Sequence, residues 1–296
     1  MVATARHDRV ADVAGHLRRA IVVERYWAAA ALSLGAGILG VCALAAIVAP
    51  WIAPHDPLSQ DLLNTFKGPS ASHLMGTDQY GSDVFSRVLY GLRVDLIFGL
   101  VTTYVPMVVG MLVGMYAGYY RGLLDSVTMR LVDLTIAMPF IVLVLAIVAI
   151  VGPGLEGAYI GIMIVSWALY ARLTRAEMLT LREQNFIAAV KGLGYTTPRI
   201  LFRHALPNVI RPNLVFSMAD IVLNILVLAG LSFLGVGVQP PKAELGAIIA
   251  GGQPYQLNAW WITTLPGLAL VVLGIGFSLV GDALADRLGG RLELPS

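Results

Sequence analysis

The chain has 296 residues, of which 57% are hydrophobic and only 13% are charged. Because soluble domains carry about 25% charged residues, this composition excludes a single water-soluble domain and an intrinsically disordered chain. The formal net charge of +2 argues against a nucleic-acid partner, and the single cysteine, Cys42, excludes an internal disulfide framework and a Cys-rich metal site. The composition predicts an all-α membrane protein.

Six apolar stretches predict transmembrane helices, each of which needs about 20 mostly apolar residues. The fourth stretch is short, and its flanking charges, Glu156 and Arg172, can reach the membrane surface from inside a longer helix. The first follows a basic tail, as a signal peptide does, but its length and the five later stretches favour an uncleaved anchor. The stretches are residues 26–54, 96–120, 134–155, 157–171, 221–241 and, for the last, about 262–281.

The basic residues predict the orientation of these helices. With the N-terminus inside, inner segments hold sixteen of the twenty Lys and Arg residues and outer segments hold four. Because Lys and Arg accumulate in cytoplasmic loops, both termini are predicted to be cytoplasmic. The predicted order is a cytoplasmic tail (1–25), the first transmembrane helix (26–50), an extracytoplasmic loop (51–93), a transmembrane core (94–285) with an inner loop at 172–211, and a cytoplasmic tail (286–296).

The outer loop carries four aspartates, Asp56, Asp61, Asp78 and Asp83. They could bind a cation, dock another protein or simply keep the loop solvated, and their spacing, which differs from that of a calcium loop, favours solvation slightly. The five histidines show no metal-ligand spacing in the sequence. No metal site is therefore predicted.

The inner loop is too long for a simple connection. Residues 179–190 contain no helix breaker and are expected to extend the helix of the fourth stretch inward. Gly192 and Gly194 are expected to end that helix, and Thr197-Pro198 is expected to start another. Pro207 is expected to stop the second helix near Leu206. The result is a helix–turn–helix with small residues at the turn, which suits docking into another protein; a solvated basic connector is the alternative.

Three motifs resemble a known family. Residues 186–194 read FIAAVKGLG and residues 204–208 read HALPN, which resembles the EAA loop of bacterial ABC-importer permeases, with Ala188 at the position of the family's glutamate. Residues 76–87, GTDQYGSDVFSR, and residues 231–241, LSFLGVGVQPP, resemble the peptide/nickel branch of dipeptide C and oligopeptide C type. Leu228 stands where that branch commonly has an acidic residue.

The resemblance implies a type I ABC importer permease fold with six transmembrane helices in the bacterial cytoplasmic membrane. It also implies a coupling helix that contacts partner ATPase subunits, which would bind ATP and Mg²⁺. The further partners implied are a second permease and an extracytoplasmic binding protein, besides membrane lipid. The coupling residues would be Phe186, Ala188, Ala189, Gly192, Gly194, Leu206 and Pro207.

The chain itself has no phosphate-binding G-x-x-x-x-G-K-[ST] segment. Energy for transport must therefore come from a partner or from an ion gradient, and the chain is predicted to be a transport subunit without a cofactor rather than an enzyme. Peptides are the predicted substrates. The alternatives are a gradient-driven secondary transporter, which would use intramembrane ion sites, and a membrane-embedded enzyme or scaffold.

Two further groups of residues stand out inside the predicted helices. Gly110, Gly114 and Gly118 lie four residues apart on one helix face and predict close packing, either within the chain or against a sister permease. Asp220 and Asn224 lie one helical turn apart in the helix of the fifth stretch, which is expected to begin near Pro212. They are predicted either to line the translocation pathway or to pair with a neighbouring polar group.

Overall fold

The protein was analysed as a computed structural model that describes residues 28–289. The predicted tail at 1–25 and the last residues, 290–296, lie outside this range. Within the described residues the chain is helical and forms no β-sheet. The helices are α1 Ala28–Ile52, α2 Val84–Tyr120, α3 Gly122–Ala137, α4 Phe140–Val151, α5 Leu155–Arg182, α6 Asn185–Gly192, α7 Thr197–Arg199, α8 Leu206–Phe233, α9 Leu245–Gly252 and α10 Trp261–Gly289.

Five helical segments are long and apolar enough to cross a membrane: α1, α2, α5, α10 and the continuous helix Thr197–Phe233, in which a π-helical turn, Ile200–Ala205, joins α7 to α8. A sixth crossing is formed by α3 and α4 if the two are counted as one bent span. The prediction of six spans is confirmed on that count.

The third span differs from the straight helix predicted at residues 134–155. The axes of α3 and α4 meet at 93°, with the break at Met138-Pro139. Met138 adopts extended dihedral angles, φ −91° and ψ 142°, because the ring of a following proline disfavours helical geometry. The prediction of one uninterrupted span was wrong because it considered only the absence of charge.

Other helix ends also differ from the apolar stretches. α2 begins at Val84 rather than near residue 94. Arg87, which was expected in the outer loop, is buried inside this helix, as is Asp95. α5 extends inward past the apolar stretch that ends at Ala171, as expected, but it ends at Arg182. α8 ends at Phe233, and residues up to Pro241 form turns.

The core is built from α2, α5 and α8, whose facing sides contain the fully buried Phe98, Ile162, Leu228 and Leu231. α10 packs against α8 through Phe277 and Met218. α1 approaches α10 where Gly35 faces Leu279. α1 and α4 carry many exposed apolar side chains, as expected for lipid-facing helices.

Candidate functional site

The connection between α5 and α7, residues 183–196, is called the elbow here and contains α6. Ile187 is buried against the bundle, whereas Phe186, Ala188 and Ala189 are exposed. Leu193, just past the end of α6, is 71% exposed. α6 is therefore fixed by one side and presents small and apolar side chains on the other.

Gly194 closes α6 with a standard C-terminal motif. Its φ is +77°, a conformation that costs glycine little. The Gly194 amide donates to the Lys191 carbonyl at 3.0 Å, and the Tyr195 amide donates to the Val190 carbonyl at 3.3 Å, which is the hydrogen-bond pattern of a Schellman motif. Gly192 is the last residue of α6. The prediction that these glycines end a helix here is confirmed.

The start of this helix differs from the prediction. Residues 179–190 do not form one helix, because α5 ends at Arg182 and α6 begins at Asn185. The predicted stop at Pro207 was also wrong. Pro207 is the second residue of α8, directly after the π-helical turn. Proline lacks an amide hydrogen for the carbonyl four residues earlier, and here the helix continues past it with wider geometry instead of ending.

Aromatic and charged side chains connect the elbow to the π-helical turn. The Arg199 guanidinium lies 4.4 Å from the centre of the Tyr195 ring, within the range of a cation–π contact. The rings of Tyr195 and His204 stack with centroids 5.8 Å apart. The exit of the elbow is therefore linked by side chains to the base of the long helix Thr197–Phe233.

Several basic residues of the predicted inner loop lie on α5 and bind acidic or carbonyl groups. Arg175 makes two hydrogen bonds to the Asp125 carboxylate, at 2.9 and 2.6 Å, and Arg172 pairs with Asp133. Arg182 donates to the Tyr119 carbonyl at 2.6 Å. These contacts connect the elbow end of α5 to α3 and to the last turn of α2.

A row of polar side chains runs along the face of α8 that points into the bundle. Asn213, Ser217, Asp220 and Asn224 are all buried. Their spacing of four, three and four residues places them on one helix face. This row is called the polar ladder here. The sequence showed the spacing, but Asn213 and Ser217 were not singled out.

The partners of the polar ladder come from α2 and α5. The Tyr170 hydroxyl donates to the Asp220 carboxylate at 2.8 Å. The Asn224 amide donates to the Thr103 hydroxyl at 2.9 Å and to the Asp220 carboxylate at 3.3 Å. At the elbow end, the Asn213 amide donates to the Thr174 hydroxyl at 2.9 Å. In this conformation the ladder joins three helices through buried hydrogen bonds.

The three glycines of α2 lie against α5. A Cβ atom at Gly110 would overlap the Trp167 carbonyl oxygen, and one at Gly114 would overlap the Ala171 carbonyl oxygen. At Gly118 a Cβ atom would lie 2.8 Å from the Met178 Cβ. The structure therefore uses this ridge for backbone-to-backbone packing within the chain.

The opposite end of α2 is closed by a compact turn at residues 76–83, called the cap turn here. The Asp78 carboxylate accepts hydrogen bonds from the Tyr80 amide at 2.8 Å and the Ser82 amide at 2.9 Å, and it lies 3.6 Å from the Arg87 guanidinium. Asp83 caps the first turn of α2. Asp78 and Asp83 are both buried, so the preference for a solvating role was wrong for these two.

Two carboxyl groups meet between α2 and the start of α9. Glu244 caps α9 by accepting from the Gly246 amide at 2.7 Å and the Ala247 amide at 2.8 Å. Asp95 accepts from the Leu245 amide at 3.3 Å. Both side chains are fully buried. These contacts fix α9 against the cap-turn half of α2, and no sequence pattern predicted that Asp95 and Glu244 lie close together.

Comparisons with known proteins place this geometry in a family. Residues 110–293 match the family described as binding-protein-dependent transport system inner membrane component. This chain belongs to that family. Residues 32–69 match the N-terminal TM domain of oligopeptide transport permease C. The family resemblance drawn from the three motifs is confirmed, and the elbow and the polar ladder both lie within the larger matched region.

Similar proteins include two curated permeases. The chain is 38% identical over 281 residues to the di/tripeptide transport system permease protein DppC of Pseudomonas aeruginosa (strain UCBPP-PA14), covering 92% of this chain and 93% of that protein. It is also 38% identical over 251 residues to the probable D,D-dipeptide transport system permease protein DdpC of Escherichia coli (strain K12), covering 85% of this chain and 84% of that protein.

A solved structure supports the fold. The inward-facing MetNI methionine ABC transporter matches with a TM-score of 0.55 and 20% identity, covering 69% of this chain and 97% of that chain. The permease is therefore a multi-pass component of the bacterial cytoplasmic membrane with a type I ABC importer permease fold. Its role is that of a membrane subunit of a transport system and not of an enzyme.

Proposed function

We propose that this permease forms, with a second homologous permease, the membrane pathway of an ATP-driven importer of peptides. An extracytoplasmic binding protein delivers the substrate, and two ATPase subunits or domains bind ATP and Mg²⁺ and drive transport. The names of the relatives support peptides as the substrate class, since the relatives at 38% identity are described as dipeptide and di/tripeptide permeases.

The observation that carries this proposal is the exposed apolar surface of the elbow. Phe186 is 41% exposed and Leu193 is 71% exposed. The small residues Ala188 and Ala189, between them in the sequence, are also exposed. Apolar anchors next to small side chains are suited to insertion into a cleft of another protein. We assign this surface, with Gly192 and Gly194, to contact with the ATPase.

The proposal includes a direction in the membrane. The elbow end of the bundle is placed in the cytoplasm with both termini, because the inner segments hold most Lys and Arg residues. The cap turn and α9 then lie at the extracytoplasmic end, since α2 runs from the cap turn to the elbow end.

The helices around the elbow suggest how movement is transmitted. Only two residues separate α5 from α6, and the helix Thr197–Phe233 starts directly after the elbow. Displacement of α6 would therefore tilt both long helices, and Leu206 and Pro207 lie at the base of the second one, directly after its π-helical turn. Transport requires two discrete packings of the bundle.

The polar ladder is the proposed point at which the bundle changes between these packings. Asp220 and Asn224 hold α8 to α5 and α2 through Tyr170 and Thr103. Separation of α8 from α5 would release these side chains toward the interface between the helices, where they would line the pathway. Polar side chains inside membrane proteins usually face protein or water rather than lipid.

The coupling assignment is tested by a charge in the centre of the elbow. The variant Ala189→Glu is compared with Ala189→Ser in the complete transporter, reconstituted with its partner subunits in vesicles. An unpaired carboxylate buried at a protein interface lowers the binding free energy by at least about 1.4 kcal/mol, which corresponds to a tenfold loss of affinity. We expect at least a tenfold loss of ATP-dependent peptide uptake for Ala189→Glu, near-normal uptake for Ala189→Ser and equal thermal stability for both.

Normal uptake by Ala189→Glu would reject the elbow as the ATPase contact. The same vesicles test the energy source, because uptake by the unchanged transporter should require ATP inside the vesicles and survive removal of ion gradients. Uptake that continues without ATP and stops when the gradients are removed would instead support the gradient-driven alternative.

A further inference from the structure

Two histidines and one carboxylate meet beside the cap turn, although they come from separate parts of the sequence. The Nδ1 atom of His73 lies 3.0 Å from the Asp83 Oδ1, and the Nδ1 atom of His55 lies 3.9 Å from the same oxygen. One ligand atom from each residue lies within 4.8 Å of both others. The imidazole rings stack with centroids 4.7 Å apart. This group is called the His–His–Asp cluster here.

The two oxygens of the Asp83 carboxylate have different neighbours. Oδ2 accepts hydrogen bonds from the Ser86 amide at 2.8 Å and the Ser86 hydroxyl at 2.7 Å, which cap α2. Oδ1 faces the two histidines. Because Oδ2 is engaged by Ser86, the carboxylate is held in one orientation, with Oδ1 directed at the histidines and within hydrogen-bond distance of the His73 Nδ1.

The backbone around each histidine is also fixed. The His55 amide donates to the Ser86 hydroxyl at 3.2 Å. The His73 carbonyl accepts from the Ser70 amide at 2.8 Å and the Gly76 amide at 2.9 Å. Ser86 therefore supports both Asp83 and His55, in the way that hydrogen-bonded neighbours orient the ligands of metal sites.

We propose that the His–His–Asp cluster is a binding site for a divalent transition-metal ion of the Zn²⁺ class. Zn²⁺ is bound by histidine nitrogen at about 2.0–2.1 Å and by carboxylate oxygen at about 2.0–2.2 Å, with tetrahedral geometry. Neighbouring ligand atoms are then about 3.3–3.5 Å apart by the same geometry. The separations of 3.0 and 3.9 Å to Asp83 Oδ1 lie on either side of that value. All three ligand atoms lie within 4.8 Å of one another, so side-chain rotations that close the wider gaps would complete the site.

The donor set decides the class of ion. Two imidazoles and one carboxylate suit Zn²⁺, Co²⁺ and Ni²⁺, whereas Ca²⁺ and Mg²⁺ prefer oxygen ligands. The position of His55 also distinguishes a metal site from a structural hydrogen bond. His73 can donate directly to Asp83, but the His55 ring nitrogen is too distant at 3.9 Å for a hydrogen bond. A shared metal ion explains why its Nδ1 atom faces the same oxygen.

Solvent can reach the cluster from one side. The His55 side chain is 40% exposed and those of His73 and Asp83 are 15% and 1% exposed. His55 borders a cleft of about 560 Å³ that Arg93 and Lys242 also line. This cleft gives an ion an entry path and leaves a fourth coordination position for water or a second ligand.

The test uses the full-length chain without an affinity tag, in nanodiscs. His7 and His16, which lie outside the described residues, are both replaced by Gln in this background to remove competing imidazoles. After treatment with a chelator and its removal, Zn²⁺ is titrated by calorimetry and Co²⁺ by visible absorption. We expect one Zn²⁺ per chain and the intense visible bands of tetrahedral Co²⁺.

Single substitutions connect this binding to the cluster. His55→Gln and His73→Gln should each weaken Zn²⁺ binding at least about tenfold, since even residues that only support metal ligands contribute about 10–100-fold to affinity. His204→Gln, at the elbow end, is the matched control and should leave binding unchanged. Ser86→Ala should weaken binding while the stoichiometry of one is retained.

Two results would overturn the proposal. One is the lack of stoichiometric binding of Zn²⁺, Co²⁺ and Ni²⁺ by the His7/His16 double variant, which would leave the cluster as a hydrogen-bonded support of α2. The other is affinity that is unchanged in both His55→Gln and His73→Gln. His55→Gln removes no hydrogen bond of the histidine ring and no helix cap, so its effect on metal binding is separable from misfolding. Neither result depends on the transport function.

Discussion

The elbow and the cap turn are both glycine-containing connections to long helices, but they differ in what surrounds their glycines. Gly194 in the elbow has a φ of +77°, and an added Cβ would meet nothing within 4 Å. Gly81 in the cap turn has a φ of +72°, and an added Cβ would overlap the Asp61 carbonyl. The two glycines therefore have similar backbone conformations, but Gly194 lies on an open surface and Gly81 is packed against the chain.

The difference shows which of the two connections is packed by the chain's own residues and which leaves a surface uncovered. The cap turn pairs much of its backbone internally, through the Asp78 and Asp83 carboxylates and the backbone of residues 61–67. The elbow satisfies its backbone with the Schellman motif but leaves Phe186 and Leu193 uncovered. Mutations in the cap turn should therefore lower stability, whereas mutations in the elbow should change transport.

The largest effect is expected for Asp78→Ala in the cap turn. The substitution removes two hydrogen bonds to the carboxylate and leaves the Arg87 guanidinium buried without its acidic neighbour. Loss of one partner of a buried ion pair costs about 3–5 kcal/mol. We expect a reduction of that order in the free energy of unfolding, measured by denaturant titration in mixed micelles. Asp56→Ala, in the exposed part of the same loop, is the control; an equal loss there would refute the distinction.

Gly81→Ala should be the next most damaging change. The alanine must adopt a positive φ, which costs about 1 kcal/mol, and its Cβ must displace the Asp61 carbonyl, which adds about 1–3 kcal/mol. The expected total of about 3 kcal/mol can be measured in the same unfolding assay. A loss below about 1 kcal/mol would mean that the cap turn yields easily and is not the rigid element described here.

Gly194→Ala isolates the cost of the backbone conformation. Its φ of +77° requires the same strain, but no atom lies in the way of the new Cβ. We expect a stability loss of only about 1 kcal/mol. Gly194→Val would add further strain at this left-handed position because of its branched side chain. A thermal-shift series of both variants beside Gly81→Ala would separate strain from overlap, and equal losses at positions 81 and 194 would remove the proposed difference.

Gly192→Ala should have the smallest effect on stability. It lies at the end of α6 with an ordinary φ and open space around it, and alanine restricts the unfolded chain more than glycine does. The expected change is a gain of about 0.4–1 kcal/mol or less. If the ATPase approaches this residue closely, uptake by the assembled transporter should fall even though the subunit is not destabilised. Lower stability of the isolated subunit would contradict the open surroundings of this position.

The sequence predicted the spans well where the absence of charge coincided with burial in lipid. It failed where charged residues belong to long helices, because Arg87 and Asp95 are buried inside α2 and the ion-paired Arg172 and Arg175 lie along α5. The break in the third span was signalled by Met138-Pro139 but was hidden by the high hydrophobicity around it. Local signals such as proline and glycine need to be weighed together with hydropathy.

The candidate sites were predictable to different degrees. The end of α6 followed from Gly192 and Gly194, since glycine ends helices through local backbone geometry. The partners of Asp220 did not, because Tyr170 comes from another helix fifty residues earlier. The His–His–Asp cluster was missed for the same reason, as His55 and His73 are eighteen residues apart in the chain and only the folded outer loop stacks their rings. Contacts of this kind are set by tertiary packing and not by spacing.

The glycine ridge of α2 limits how this subunit can move. Because Gly110 and Gly114 bring the backbone of α2 against the carbonyls of Trp167 and Ala171, neither helix can slide along the other without a steric clash. α2 and α5 should therefore move together as one rigid body that spans the bilayer. A displacement of the C-terminal end of α5 would then also move the start of α2 on the opposite side of the membrane. This helix pair would therefore couple conformational changes at the two membrane surfaces.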